Sequence, residues 1–348
     1  MSRPSDSGAI DVQSVAALDL APDPDEALRA LSGPTIFHLP GRDRSRARVV
    51  VGSLHGNEPS GWRAVHHVLR AGETPAVDAW FFVGAVDAAR VAPCWSRRML
   101  PGRRDLNRCF RPPFDDADGA IALEALSRLR AVRPEAALDL HNNSGHNPAY
   151  AIGQSRDPLR LSLASLFSHR YVTSRFSLGT FMEAFDETAP TVTIECGRGG
   201  DLAADAVAVA GLMRFLSLER LEPAFVSQQP MTLLIDPVRV RTRPGVTLAF
   251  ADAGYQARAG TVDVVLDREI DRHNFQTLPA GTRLGWLRDA TPWPLIAVDQ
   301  DGEDVSRELF HAVDGALETR TSIVPIMMTT DAASALGDCL FYAVHQRQ

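Results

Sequence analysis

Cysteine is scarce and scattered. Cys94, Cys109, Cys196 and Cys339 include no CxxC pair, which argues against a disulfide framework and suits a reducing cytoplasm. Long apolar runs are also missing: none approaches the roughly 18 residues that a membrane span needs. Met1 to Asp25 is polar and acidic without an apolar core, so no signal peptide is expected there. Positive charge is not in excess. The net charge of -7 argues against a nucleic-acid surface and leaves room only for a local basic cluster. There is no internal repeat and no low-complexity tract. These absences point to a cytoplasmic protein without a membrane or nucleic-acid partner; a homo-oligomer stays open.

What is present suits a packed globular chain: 45% hydrophobic and 23% charged over 348 residues, enough for two domains. One stretch organises the rest, Val49-Val50-Val51-Gly52-Ser53-Leu54-His55-Gly56-Asn57-Glu58-Pro59. Its apolar run reads as a buried strand, its small residues as a turn, and Pro59 as the first residue of a helix. His55 and Glu58 thus sit at a strand-to-helix junction, able to face one point. An imidazole and a carboxylate so placed are two-thirds of a two-His, one-Glu zinc site.

Residues 1–33 read as a mobile tail followed by a short helix, Pro24 to Leu31. From residue 34 to 222, expected strands alternate with expected helices. The strands are Thr35–Leu39, Ala47–Leu54, Ala79–Val86, Ala136–Leu140, Ala149–Gly153 and Thr191–Cys196. The helices are Pro59–Ala71, Ala120–Val132, Pro158–His169 and Asp201–Leu218. This alternation predicts an α/β domain with a mixed, mostly parallel sheet flanked by helices. Asp87 to Pro113 is irregular and rich in Arg, Pro and Gly, and is long enough to be a functional loop. After a boundary near Glu222-Pro223 the segments become short and rich in Val, Leu and Thr: Met231–Ile235, Val238–Thr242, Val246–Ala249, Thr261–Val265 and Arg283–Trp286. Residues 223–348 therefore read as a smaller, mainly β domain.

Asp139-Leu140-His141 ends an expected strand, and alternation puts Asp139 and His141 on one side. His141 is the candidate third metal ligand. Asp139 is the candidate carboxylate that takes the free ring N–H of a ligating histidine. Glu195 ends the apolar strand Thr191-Val192-Thr193-Ile194, a costly place for a carboxylate unless it is used. It is the candidate general base, taking a proton from a metal-activated water and passing it to the leaving nitrogen. In the long loop, Asn107 beside Arg108 suits a substrate carboxylate. Arg97, Arg98, Arg103 and Arg104 form a basic cluster that would draw anionic substrates. One of them could polarise the scissile carbonyl, and at least two read as plain solvated surface. Cys109 and Cys196 read as packing residues, His66-His67 as surface, and His146 and Tyr150 as weaker pocket candidates.

In order, His55-Gly56-Asn57-Glu58, Asp105-Leu106-Asn107-Arg108, Asp139-Leu140-His141 and Ile194-Glu195-Cys196-Gly197 resemble the motif series of the succinylglutamate desuccinylase/aspartoacylase family, relatives of the zinc carboxypeptidases. The later stretch Asn274-Phe275-Gln276-Thr277-Leu278-Pro279-Ala280-Gly281-Thr282 resembles the family's β domain, so the likeness covers roughly residues 35–345. The resemblance implies a carboxypeptidase-like domain holding one Zn²⁺ per chain through His55, Glu58 and His141. It implies Glu195 as base and acid, Asn107 with Arg108 as carboxylate clamp, and Arg98 as the residue polarising the carbonyl. The spacing from Arg98 to Asp105 is slightly longer than in the family.

There are two departures. Where aspartoacylases hold the aspartate side chain with an Arg, this chain has Phe185, and no Arg lies between Phe176 and Glu195. No Tyr occurs in Pro325 to Ala333, where the family's substrate tyrosine would fall. The expected activity is zinc-dependent hydrolysis of the amide bond of a small anionic N-acyl amino acid or a related carboxylate-bearing amide. The acyl group and amine stay open, with peptide carboxypeptidase activity or a silent zinc-binding protein as alternatives.

Overall fold

The computed structural model describes residues 10–14, 20–222, 230–252 and 262–345. It divides into two units, one of residues 1–142, 149–171 and 176–233, the other of 143–148, 172–175 and 234–348. The expected junction at Glu222-Pro223 runs into 223–229, outside the described residues.

In chain order the first part holds β1 (Asp11–Ser14), α1 (Pro24–Ala30), β2 (Thr35–Leu39), β3 (Asp43–Gly52), α2 (Pro59–Ala71), β4 (Val77–Val83), α3 (Val86–Ala89), α4 (Ala117–Ala131), β5 (Ala137–Asn143), β6 (Tyr150–Gly153), α5 (Pro158–Ser165), β7 (Arg170–Thr173), α6 (Phe181–Asp186), β8 (Thr191–Arg198), α7 (Leu202–Ser217) and β9 (Thr232–Ile235). The nine strands form one sheet in the order β1-β2-β4-β3-β5-β8-β6-β7-β9. Pairing is parallel for β1–β2, β4–β3 and β3–β5, and antiparallel for β2–β4 and β8–β6.

The sheet is covered on both faces, and the strand sequences show why. On β3, Val50 packs with Leu138, Leu140, Val192 and Ile194 under Trp62 and Val65 of α2 and Leu212 and Phe215 of α7. Val49 and Val51 turn the other way, with Ala137, toward Leu126 and Leu129 of α4 and Phe181 and Phe185 of α6. A strand buried on both faces needs an unbroken apolar run, which is what Val49-Val50-Val51 supplies. On β5 and β8, Asp139, His141, Thr193 and Glu195 fall in the alternation of Ala137, on the α4 and α6 face. Helix α2 can lie close to the sheet because two glycines meet: a Cβ on Gly61 would stand 3.0 Å from Gly52 Cα and 3.1 Å from Leu140 O.

Two expectations are corrected. Residues 11–14, taken as part of a mobile tail, form β1; Ile10 is buried, and Asp11 to Ser14 pair with Thr35 to His38. Four residues, Asp-Val-Gln-Ser, are too short for a periodic signal. Thr232–Ile235, grouped above with the β domain, is instead the edge strand of the large sheet, because it pairs outside its sequence neighbourhood.

The second unit carries β10 (Val238–Thr242), β11 (Leu248–Ala251), β12 (Val264–Asp267), β13 (Arg283–Leu287), β14 (Leu295–Val298), β15 (Phe310–Val313), β16 (Ala316–Thr319), β17 (Ile323–Ile326) and β18 (Phe341–His345). They form sheets ordered β14-β10-β18-β17 and β11-β12-β13-β16-β15 around Val240, Leu284, Leu295, Phe310 and Phe341. Asn274 is a structural pin here: its Oδ1 accepts from Met328 N at 2.9 Å and its Nδ2 donates to Met328 O at 2.9 Å. No helix among the described residues is long and apolar enough to cross a membrane.

All the cationic side chains other than histidine are arginines, since the sequence contains no lysine. One of them is fully buried. Arg48 on β3 donates to Glu135 Oε1 at 2.6 Å, to Leu218 O at 2.7 Å and to Phe215 O, so it caps the end of α7. Arg48→Ala leaves those carbonyls without a donor and is expected to cost about 3 kcal/mol or more, against about 1 kcal/mol for Glu135→Gln. Urea midpoints of the two variants check this; equal shifts would contradict it.

Candidate functional site

The site is built where β3 and β5 end side by side. Gly52 pairs with Leu140, so His141 stands one residue past the last pair and His55 three residues past Gly52. The turn between β3 and α2 is tightly bent. Ser53 sits at φ 53°, a left-handed conformation costly for a residue with a side chain, and its hydroxyl donates to Glu58 O at 3.3 Å. Gly56 N donates to Arg98 O at 2.8 Å, and a Cβ on Gly56 would stand 2.6 Å from both Ala88 Cβ and Arg97 O. Only glycine lets the turn seat against the Arg98 loop.

His55, Glu58 and His141 are all buried, and one ligand atom from each lies within 4.8 Å of the others. The orientation is specific. Nδ1 of His55 is 2.7 Å from Glu58 Oε1, and Nδ1 of His141 is 2.7 Å from Glu58 Oε2. The opposite ring nitrogens face acids: His55 Nε2 is 3.0 Å from Asp105 Oδ1, and His141 Nε2 is 3.0 Å from Asp139 Oδ1. Two imidazoles offering one nitrogen inward while a carboxylate holds the other is how metal-ligating histidines are oriented. The donor set, two nitrogens and a carboxylate, fits a divalent ion such as zinc.

The electrostatics agree with that fit. Burial alone would raise Glu58, but the two imidazoles hold it well below the usual carboxylate range. Burial and the Arg98 guanidinium work against a proton on His55, yet Asp105 and Glu58 prevail and raise it. Burial opposes a proton on His141 too, and Asp139 and Glu58 raise it well above its ordinary value. The cluster therefore stabilises positive charge at its centre, which is what a bound dication would satisfy.

Glu195 is buried on β8, paired across to Tyr150. Burial pushes its carboxyl up to about 7 against the pull of His141, and Glu58 pushes it in the same upward direction. Arg98 donates to Asp105 Oδ2 through Nε at 3.0 Å and Nη2 at 2.7 Å, and its Nη1 is 3.7 Å from Glu58 Oε1. Asn107 is buried in a 3₁₀ turn, with its Nδ2 3.2 Å from His141 Nε2. Arg108 is half-buried beside it and donates to Asn107 O at 2.9 Å.

Other sequence candidates find different places. Arg103 forms a bidentate pair with Asp118 and Arg104 an exposed one with Asp116, so both brace the start of α4. Cys109 and Cys196 are buried. His66 is buried and not surface, its Nε2 2.9 Å from Ala21 O; His67 is exposed. His146 belongs to the second unit, with its Nδ1 2.9 Å from Asp271 Oδ2. Phe185, standing where the resemblance leads one to look for an Arg, is fully buried in the core against Phe181.

Two residues given no role from sequence are central here. Asp105 caps the 3₁₀ turn, accepting from Asn107 N at 2.9 Å, and joins His55 to Arg98. Burial would raise its carboxyl, but His55 and Arg98 hold it well below its ordinary range. Asn142 ties β5 to α2 and β8: its Oδ1 accepts from Ser60 N at 3.0 Å and its Nδ2 donates to Gly197 O at 3.2 Å. Its backbone N donates to Glu58 Oε2 at 3.1 Å, which fixes that carboxylate. Asp105 had a sequence signal as the head of the Asp-Leu-Asn-Arg motif; Asn142, next to His141, had none.

Known proteins can now be set beside this geometry. The succinylglutamate desuccinylase/aspartoacylase catalytic domain matches residues 45–218. Comparison with curated proteins gives no match. Among solved structures, a succinylglutamate desuccinylase/aspartoacylase from Rhodobacter sphaeroides is 14% identical, with a TM-score of 0.59 over 90% of this chain and 88% of that one. Murine aminoacylase 3 is 20% identical, with a TM-score of 0.52 over 87% and 96%. The product-bound ectoine utilization protein EutE (DoeB) from Ruegeria pomeroyi is 17% identical, with a TM-score of 0.54 over 90% and 88%. These similarities establish the fold, and with the domain match covering half of the sequence, the chain belongs to the succinylglutamate desuccinylase/aspartoacylase family.

Proposed function

We propose that this protein is a zinc-dependent deacylase that hydrolyses the amide bond of a small N-acyl amino acid or a related carboxylate-bearing amide. The observation that carries the reading is the convergence of His55 Nδ1, His141 Nδ1 and the Glu58 carboxylate, with Asp105 and Asp139 behind the two rings. Membership of a deacylase family supports it. His55, Glu58 and His141 would hold the ion, which when bound supplies Lewis acidity toward an acyl carbonyl and toward water.

The chain's own groups then divide the work. Glu195, pushed up to about 7, sits where a carboxyl can both take and return a proton near neutral pH, as base for water and acid for the leaving amine. Arg98, held by Asp105 beside the ligand cluster, places positive charge where negative charge develops on the carbonyl oxygen. Asn107 and Arg108 are assigned to the substrate carboxylate. Chain chemistry excludes a lysine Schiff base, since no lysine exists to form one.

Four measurements test this. The zinc-loaded protein, given a panel of N-acetyl, N-formyl and N-succinyl amino acids alongside short peptides, is expected to cleave the acyl amino acids selectively; faster peptide cleavage would overturn the assignment. Glu195→Gln is expected to keep bound zinc by metal analysis while kcat falls by about 10²–10⁴-fold. Because the base works deprotonated and its upward shift moves that requirement toward neutrality, kcat/KM should fall with acidity along a limb at or below about pH 7. A nearby cation draws the limb lower, and Glu195→Gln removes it. Asp105→Asn should weaken zinc binding by about 10–100-fold in competition titrations, by loosening the His55 ring; unchanged affinity would leave Asp105 outside the metal centre.

A further inference from the structure

The side-chain amide of Asn107 has two ends of nearly equal size, one an acceptor and one a donor, so shape does not decide which end faces the ligand cluster. A hydrogen bond does. Asn107 Oδ1 accepts from Phe181 N at 2.9 Å, which turns Nδ2 toward His141. Phe181 is the first residue of α6, so its N–H has no partner inside the helix and must find one outside.

The position of that N–H is set by a complete capping box. Thr180 Oγ1 accepts from Glu183 N at 3.2 Å and the Glu183 carboxylate accepts from Thr180 N at 3.4 Å; the same carboxylate also accepts from Leu178 N at 2.9 Å and Gly179 N at 2.7 Å. Gly179 lies at φ 78°, and its carbonyl accepts from Phe110 N at 3.1 Å, tying the turn to the far side of the Asn107 loop. A Cβ on Gly179 would stand 2.9 Å from Arg108 O, so the two loops are in close contact on both sides of Asn107.

We infer that Glu183 is a positioning residue. Through the 178–181 turn and the Phe181 N–H, it sets Asn107 to present a donor rather than an acceptor, which is the polarity a substrate carboxylate requires. The inference rests on the reading of Asn107 as part of the carboxylate clamp. With the opposite flip, an amide oxygen would face that carboxylate and repel it. The acidic Glu183 thus helps to bind an anion without meeting it.

The test compares the N-acetyl amino acid turned over fastest with its C-terminal carboxamide. In Glu183→Ala, KM for the carboxylate form should rise about tenfold or more, the size of a hydrogen bond to a charged group, with kcat little changed and the carboxamide unaffected. Glu183→Gln, which keeps an acceptor for the turn, should recover most of the loss. The ¹⁵N resonance of the Asn107 side chain should shift in Glu183→Ala and return in Glu183→Gln. If Glu183→Ala fails to fold, Thr180→Val removes the other half of the box and carries the same expectations. An unchanged KM and an unmoved resonance, or equal losses on both substrates, would overturn the positioning role alone. A wild-type protein that treats carboxylate and carboxamide alike would defeat the clamp reading, and the purpose inferred for Glu183 with it.

Discussion

The site depends on one carboxylate shared between two rings. Glu58 meets His55 Nδ1 with one oxygen and His141 Nδ1 with the other, each at 2.7 Å. That geometry exists only because β3 and β5 are parallel neighbours in one register, so that the turn after β3 and the end of β5 reach the same place. A slip of one residue would turn His141 to the opposite face. The register is held by side chains that must stay buried, Val49 and Val51 on one face and Val50, Leu138 and Leu140 on the other. The core therefore specifies the geometry of the His55–Glu58–His141 cluster as well as supporting it.

Around this carboxylate, acids and bases alternate outward. Glu58 holds the two histidines; Asp105 and Asp139 hold their outer nitrogens; Arg98 and Thr193 hold those acids in turn, Thr193 donating to Asp139 Oδ2 at 3.4 Å. Each layer limits the motion of the one inside it, which suits a centre whose chemistry requires close placement. Two further loop cations brace the scaffold: Arg103 and Arg104 secure the start of α4.

Much of this was legible in the sequence because it follows local rules. The apolar run into His55, the Pro59 helix start, the Asp139-Leu140-His141 alternation and the lone Glu195 each carry their signal within a few residues. What escaped depends on distant partners. Asn142 acts through Ser60, Gly197 and Glu58, none of which a reading of its neighbours can supply. Asp105 matters through His55, fifty positions earlier in the chain. Strand β1 and the edge strand Thr232–Ile235 are four residues each and owe their placement to the strands they join rather than to their own pattern. The later strands of the second unit run four or five residues, and Leu295–Val298 through Phe341–His345 had no periodicity long enough to register.

The all-arginine complement of cations reaches beyond the pairs it forms. A guanidinium stays charged far into the alkaline range, where ammonium groups would already be losing their protons. The positive half of every arginine ion pair described here is thus insensitive to alkaline titration, and any base-induced loosening has to begin at histidines, tyrosines or thiols. Reagents that acylate or cross-link side-chain amines find no target on the 348 residues, so such treatments leave the ion-pair lattice around Glu58 and Arg48 chemically intact.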